Sequence, residues 1–132
     1  MPARGSGRAR RHSGRVTALL VGVAGMAGVL ARYGISNQFH GTALPWATVG
    51  INVLGSLLLG MLVSSAIGST DTRAILGVGF LGGFTTFSTF TVQIVLDVDA
   101  GEPGRALLYL TASLLLGIAA ATAGFVIGRD LL

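Results

Sequence analysis

Four long apolar stretches, joined by short polar connections, leave this chain few ways to fold. They cover about residues 16–36, 44–67, 74–96 and 105–128, and each is close to the ~20 residues that cross ~30 Å of hydrocarbon as an α-helix. Only 11% of the 132 residues are charged, whereas about a quarter are charged in soluble domains. The sequence therefore predicts an all-α integral membrane protein with four transmembrane helices, in one domain over residues 16–132.

The basic residues are concentrated before the first apolar stretch. All 9 are arginines, and most lie in residues 1–15, which we predict to be a disordered tail. A basic segment beside a membrane ordinarily meets anionic lipid, so the high isoelectric point does not indicate nucleic acid. The spans use most of the chain and leave no room for a soluble catalytic domain, so we expect no enzyme. The absence of cysteine excludes a disulfide framework and a thiolate metal site.

The third apolar stretch is a poor continuous helix. It contains the segment GVGFLGGFTTFSTF, in which glycine and β-branched threonine both have low helix propensity. The adjacent Gly82 and Gly83 predict a break in the helix near the middle of the membrane. Broken backbone is tolerated in hydrocarbon only where it is buried or lines a cavity. A break here therefore predicts a site.

Such a break would supply chemistry without an ionised side chain. It frees carbonyl groups at the end of one half-helix and N–H groups at the start of the next. Phe84, Phe87 and Phe90 add ring edges, which carry the positive part of the aromatic quadrupole and can face an anion. Hydroxyl groups of the motif and the amide of Asn52 are neutral hydrogen-bond donors. The break would therefore place cation and anion sites side by side.

At these positions the sequence resembles the Fluc/CrcB family of fluoride channels. The likeness lies in GGFTTFSTF at 82–90, in TVGIN at 48–52 and in the pairing of Gly28 with Arg32. It implies an antiparallel dimer of four-helix subunits, each with a broken third helix, that holds one structural sodium ion and encloses two fluoride pores.

The resemblance also implies roles for individual residues. Gly82 and Thr85 would offer backbone carbonyls to the sodium ion, and Arg32 would be either a snorkelling anchor or a vestibule residue that concentrates fluoride. The fluoride pore would be lined by Asn52, Phe87, Phe90, Ser88, Thr89, Tyr109 and Ser113. We expect Asp97, Asp99 and Glu102 to form a solvated loop without a role in the site.

The leading hypothesis is a passive channel that exports fluoride from the cytoplasm across the plasma membrane. One alternative is a small dual-topology cation or drug antiporter, but that class depends on a glutamate in its first helix, and Glu102 is the first glutamate here. A second alternative is a non-transporting membrane scaffold, which explains the glycines but not the donor-rich motif.

The arginine distribution leaves the partner undecided. If the tail counts, only Arg32 and Arg105 fall on one side of the membrane and the other arginines on the opposite side, which favours one fixed orientation. Without the tail the two sides are balanced, as a dual-topology protein requires. The expected dimer is therefore either a homodimer or a heterodimer with an oppositely oriented paralogous subunit.

Overall fold

The four predicted spans are present as helices. The structure is a computed structural model that describes residues 6–39 and 45–132, with the side chains of the first helix from residue 13 onward. Four helical segments are long and apolar enough to cross a membrane, and we call Thr70–Asp99 the third span. The α-helices are α1 (Ser6–Gln38), α2 (Trp46–Ser64), α3 (Thr70–Arg73), α4 (Gly82–Phe84), α5 (Ser88–Asp99) and α6 (Pro103–Leu131). A π-helix, Ala74–Leu81, lies between α3 and α4.

The first helix is longer than the sequence predicts. It begins at Ser6, so residues 6–15 of the predicted disordered tail are helical, while residues 1–5 lie outside the described part. The reason is that a helix already nucleated by the apolar span extends at little cost through arginine and alanine, which have high helix propensity. Residues 40–44 of the predicted first loop also lie outside the described part.

Helices α2 and α6 pack closely because glycines remove side chains from their contact. A Cβ atom at Gly124 would collide with the carbonyl of Leu57, and one at Gly60 would collide with the carbonyl of Ala121. Gly128 lies in the same way against Met61. The small residues at the end of α6 therefore face another helix, and that helix is α2. Backbones approach this closely in membrane proteins because van der Waals packing drives helix association there.

A second set of glycines joins α1 to the first half of the third span. A Cβ atom at Gly28 would collide with the carbonyl of Phe80, and one at Gly83 would collide with the carbonyl of Gly25. Gly79 lies against Val21, whose carbonyl oxygen would be 2.8 Å from a Cβ atom added at Gly79. The small residues of α1 therefore form the surface that packs against the π-helix and α4.

The third span is broken, but not at the glycine pair. Gly82 and Gly83 remain helical in α4, where Gly83 packs directly against Gly25 of α1. The chain leaves the helix at Thr85, whose backbone is extended (φ −82°, ψ 162°), and re-enters it at Ser88. The break is therefore at residues 85–87, and the position predicted from the double glycine was wrong by one helical turn.

Candidate ion pathway at the broken third helix

A cavity of about 450 Å³ lies where α2, α6 and the break meet. Six of the nine residues predicted to form the sodium and fluoride sites line it, although they come from three separate spans. They are Asn52, Gly82, Thr85, Phe87, Phe90 and Ser113. No charged side chain belongs to the lining in the described part of the chain. The fold thus brings the neutral donors of the motif to one space.

Asn52 holds the broken backbone open. Its amide nitrogen donates to the carbonyl of Thr86 at 3.0 Å, and its amide oxygen accepts from the N–H of Thr86 at 2.9 Å. One side chain therefore replaces the two hydrogen bonds that a continuous helix would give Thr86. An asparagine amide carries two N–H donors, so one of them is left for the cavity that Asn52 lines.

The segment before the break directs carbonyl groups out of the helical ladder. The N–H of Thr86 would close a helical turn on the carbonyl of Gly82, and its bond to Asn52 leaves that carbonyl without this partner. The N–H and the hydroxyl of Thr85 both donate to the carbonyl of Leu81, each at 3.0 Å. The methyl group of Thr85 fits against Gly55, where a Cβ atom would collide with it. The Thr85 side chain is thereby fixed at both ends.

The Thr86 side chain starts the second half of the span. Its hydroxyl accepts from the N–H of Thr89 at 3.3 Å and donates to the Thr89 hydroxyl at 3.1 Å, which satisfies one of the free N–H groups at the start of α5. Ser88 and Thr89, predicted as a hydroxyl track, are exposed on the chain and do not line the cavity. Their hydroxyls lie beside the Thr86 cap rather than in the wall.

Aromatic rings form one end of the cavity. Phe87 is 74% exposed on the chain and its ring centroid lies 5.8 Å from that of Phe90. Phe90 is buried and meets Tyr109 edge to face at 5.2 Å. These rings are held in part by Val49, in a small buried cluster with Phe90 and Tyr109. Tyr109 therefore stands behind Phe90, outside the lining itself.

Helix α6 presents buried polar groups with unused hydrogen-bonding capacity. Ser113 lines the cavity, and its hydroxyl is buried without a hydrogen-bond partner in the described part of the chain. One turn earlier, Tyr109 is 2% exposed; its hydroxyl lies near the Thr48 side chain but makes no well-formed hydrogen bond with a described residue. Buried hydroxyls are nearly always paired, so this pair of residues provides hydrogen-bonding capacity for a ligand or water.

Arg32 lies beside the end of α4, in the first half of the third span. Its Nε donates to the carbonyl of Gly83 at 3.3 Å. The carbonyls at the end of a helix carry partial negative charge and lack intrahelical partners, so an arginine there satisfies one of them. The predicted vestibule role stays a prediction, and the contact accounts for the Gly28 and Arg32 pairing, since both residues touch the same segment.

The predicted solvated acidic loop is wrong for Asp97. This carboxylate is 1% exposed, and its Oδ1 accepts from Arg105 at 2.8 Å and from Gln93 at 2.9 Å. Asp99 and Glu102 are exposed, as predicted. Asp97 is buried because it faces α6 from the last turn of α5, whereas Asp99 points away from it. The four-residue spacing from Gln93 to Asp97 was the available signal.

Two further residues of the site escaped the sequence analysis. Thr86 is the backbone partner of Asn52, and Gly55 makes room for Thr85. Gly55 lies about one turn from Asn52 on the same helix, so helical spacing alone places it near the site. The pairing of Asn52 with Thr86 joins residues 34 positions apart, and nothing local marks it.

Comparison with known proteins agrees with this geometry. The family model for "CrcB-like protein, Camphor Resistance (CrcB)" matches residues 19–125. This chain belongs to the CrcB-like family. A Thermus thermophilus relative called fluoride-specific ion channel FluC is 40% identical over 119 residues, covering 86% of this chain and 94% of the relative. A Bacillus cereus relative called fluoride-specific ion channel FluC 2 is 40% identical over 116 residues, covering 86% and 98%.

A third relative comes from Agrobacterium fabrum. The Agrobacterium fabrum protein, again called fluoride-specific ion channel FluC, is 39% identical over 119 residues, covering 85% of this chain and 95% of the relative. The family match and the four spans together make this a multi-pass membrane protein. For a CrcB-like protein, the cavity at the broken span is the candidate ion pathway.

Proposed function

We propose that this chain is a fluoride-selective passive channel that lets fluoride leave the cytoplasm and so relieves its toxicity. The observation that carries the proposal is the uncharged cavity at the break, where the Asn52 amide, the Ser113 hydroxyl and the rings of Phe87 and Phe90 meet. The names of three relatives support the choice of ion.

The physical argument concerns dehydration. Fluoride is small and strongly hydrated, so a pore must replace its water with several donors at once. A lysine or arginine at the narrowest point would bind the ion too tightly to release it. Neutral donors in series, as at Asn52 and Ser113, allow the ion to enter and to leave. Aromatic edges at Phe87 and Phe90 add weak attraction without a full charge.

Conduction fits the site better than proton-coupled exchange. An antiporter of small cations needs a carboxylate in its binding site, and the described lining contains none. Asp97 is a buried carboxylate, but it lies outside the cavity and is paired with Arg105. A passive pore needs no titrating group, and its flux direction follows the fluoride gradient.

The experiment is ion efflux from liposomes that contain the purified protein. We expect rapid electrogenic fluoride loss with no chloride loss, and we expect Phe87→Ile to abolish it. The matched control is Phe125→Ile, because Phe125 is a partly exposed phenylalanine of α6 outside the cavity lining. Fluoride retention by the wild type, alone and after reconstitution with a paralogous subunit, would refute the proposal. Loss of flux in both variants would refute the assignment of Phe87 to the pore.

We propose further that the carbonyls of Gly82 and Thr85 hold a sodium ion. The fit rests on the Gly82 carbonyl, which loses its helical partner to Asn52, and on the extended backbone of Thr85. Among the described residues, no cluster of three or more His, Asp or Glu side chains could hold a metal ion. Backbone carbonyl oxygens are hard ligands that suit sodium. A bound sodium ion would supply a fixed positive charge at the end of α4.

Sodium binding is tested apart from transport. In detergent solution, sodium should raise the melting temperature of the protein relative to N-methylglucamine at equal ionic strength, because a ligand of the native state stabilises it. Asn52→Leu, which removes the side chain that holds the break open, should abolish that difference. An equal melting temperature in both salts would refute the sodium site.

The proposed assembly is an antiparallel dimer, with either a second copy or a paralogue. The cavity and the 74% exposed Phe87 lie at the surface of the single chain, so a partner is needed to close the pathway. The chain contains no cysteine, so single cysteines can be labelled without background. One would be placed in the loop after α2 and the other in the loop between α5 and α6. Labelling of both loops from both sides of the membrane would indicate a homodimer, and labelling from one side would indicate a paralogous partner.

A further inference from the structure

The unsatisfied polar atoms of the chain are not scattered. In the described residues, four buried side-chain atoms have no hydrogen-bond partner: Ser113 Oγ, Tyr109 OH, Arg105 Nε and Asp97 Oδ2. The first three belong to residues four apart on α6, so they lie on one face over about 12 Å of helix. Ser113 is in the cavity wall. The unsatisfied face therefore leads from the cavity towards the loop between α5 and α6.

Arg105 stands at the outer end of this face. Its side chain is 33% exposed, and one terminal nitrogen donates to Asp97 at 2.8 Å. Its Nε is buried and unused, one turn from the Tyr109 hydroxyl. A guanidinium group has five N–H donors in a fixed fork, so the bond to Asp97 engages only one part of it. Because the side chain is one-third exposed, its other terminal N–H groups are within reach of an anion.

Asp97 controls how strongly that guanidinium attracts an anion. The same Oδ1 atom that meets Arg105 also accepts from Gln93 at 2.9 Å, so the carboxylate is held from two sides. Its negative charge offsets part of the arginine charge. The pair then behaves as a weakened cation, which an ion can leave as well as approach.

Closing the turn does not require this ion pair. The backbone already closes the loop between α5 and α6, through hydrogen bonds from Ala100 to Leu96 and from Glu102 to Asp97, both at 2.9 Å. Gly101, at φ +76°, supplies the left-handed residue that the turn needs. A structural link alone would leave the unused Arg105 Nε unexplained.

We propose that Arg105 is an anion-binding residue where the fluoride pathway meets the loop between α5 and α6, and that Asp97 weakens its hold on the ion. The inference rests on the proposed channel function and names the group that receives the ion beyond Tyr109. Ions would pass from the cavity along Ser113 and Tyr109 to Arg105. Gln93 is a positioning residue that keeps Asp97 in place.

The test is the concentration dependence of fluoride efflux from liposomes. Arg105→Gln should raise the half-saturating fluoride concentration about tenfold, the order expected for one partly neutralised charge at close range and an effective dielectric constant of ~20. Asp97→Asn should lower it, because it removes the opposing charge and leaves Arg105 in place. Loss of a purely structural ion pair would change both variants in the same direction.

Arg129→Gln is the matched control. Arg129 is also paired with an aspartate, Asp130 at 2.7 Å, but it is 61% exposed at the opposite end of α6. Its removal should leave the half-saturating concentration unchanged. Arg105→Lys keeps the charge and should remain closer to the wild type than Arg105→Gln does.

The half-saturating fluoride concentrations decide whether Arg105 binds the ion or only forms a structural ion pair. An unchanged half-saturating concentration in Arg105→Gln, or shifts of the same sign in Arg105→Gln and Asp97→Asn, would overturn the inference while leaving the channel function intact. If Arg105→Gln does not reconstitute, Asp97→Asn decides alone, since only tighter fluoride binding supports the inference. A wild type that conducts no fluoride would overturn the channel function and this inference with it.

Discussion

Replacement of Asn52 by leucine tests how the break in the third span is maintained. Leucine has nearly the same shape as asparagine and is well tolerated in membrane helices, but it cannot bind Thr86. Both hydrogen bonds to the Thr86 backbone, at 2.9 and 3.0 Å, would be lost. An orphaned buried polar group costs ~1–3 kcal/mol, and the site is only partly buried. We therefore expect a loss of about 2–4 kcal/mol in the free energy of unfolding.

The assay is equilibrium denaturation of the protein in detergent micelles, followed by fluoride efflux of the same preparation. Ser64→Ala is the control on the same helix, because the Ser64 hydroxyl donates only to carbonyls of its own helix, those of Gly60 at 2.9 Å and Met61 at 3.3 Å. Those carbonyls keep their backbone partners when the hydroxyl is removed. We expect the control to change stability by less than about 0.5 kcal/mol and to conduct normally.

Stability and fluoride flux of Asn52→Leu must be read together. If Asn52→Leu is as stable as Ser64→Ala and conducts fluoride, the Asn52 amide does not hold the break open. If it loses stability but still conducts, the break survives without Asn52, and the remaining amide N–H is not a donor to the ion. Only joint loss of stability and flux agrees with the geometry.

Two further substitutions probe the same region. Gly55→Ala should destabilise the protein by about 1–3 kcal/mol, as overpacking of a tight contact does, because its methyl group collides with that of Thr85. Gly50→Ala is the control, since Gly50 has open space around it. Equal melting temperatures of the two variants would contradict the packing argument. Thr85→Ser keeps the hydroxyl bond to Leu81 and the backbone carbonyl, so it should retain more fluoride efflux than Phe87→Leu; equal loss would count against the carbonyl role of Thr85.

The sequence predicted the spans well because a membrane span is a local property. Twenty apolar residues cross the bilayer whatever the rest of the chain does, and the four spans appear with small shifts at their ends. The small-residue faces were equally readable, since helical spacing alone places Gly124 and Gly128 together. Both sets of observations depend on neighbours within a few turns.

The position of the break was less predictable because two roles compete for glycine. Low helix propensity placed it at Gly82 and Gly83. In the structure, Gly83 instead allows contact with Gly25 of α1, and that packing keeps the pair helical. The burial of Asp97 was missed for a similar reason, since a polar loop was expected to be solvated and Arg105 lies across the turn.

The membrane location, the number of spans and the uncharged, donor-rich character of residues 77–90 could be predicted from the sequence alone. Those properties follow from composition and periodicity along a single segment. The opening of the backbone at residues 85–87 depends on tertiary contacts, because the hydrogen bonds that replace the helical ones come from Asn52, 34 residues earlier. The meeting of Arg105 with the buried Asp97 depends on tertiary contacts as well. Both are contacts between separate helices, and one-dimensional patterns carry little information about them.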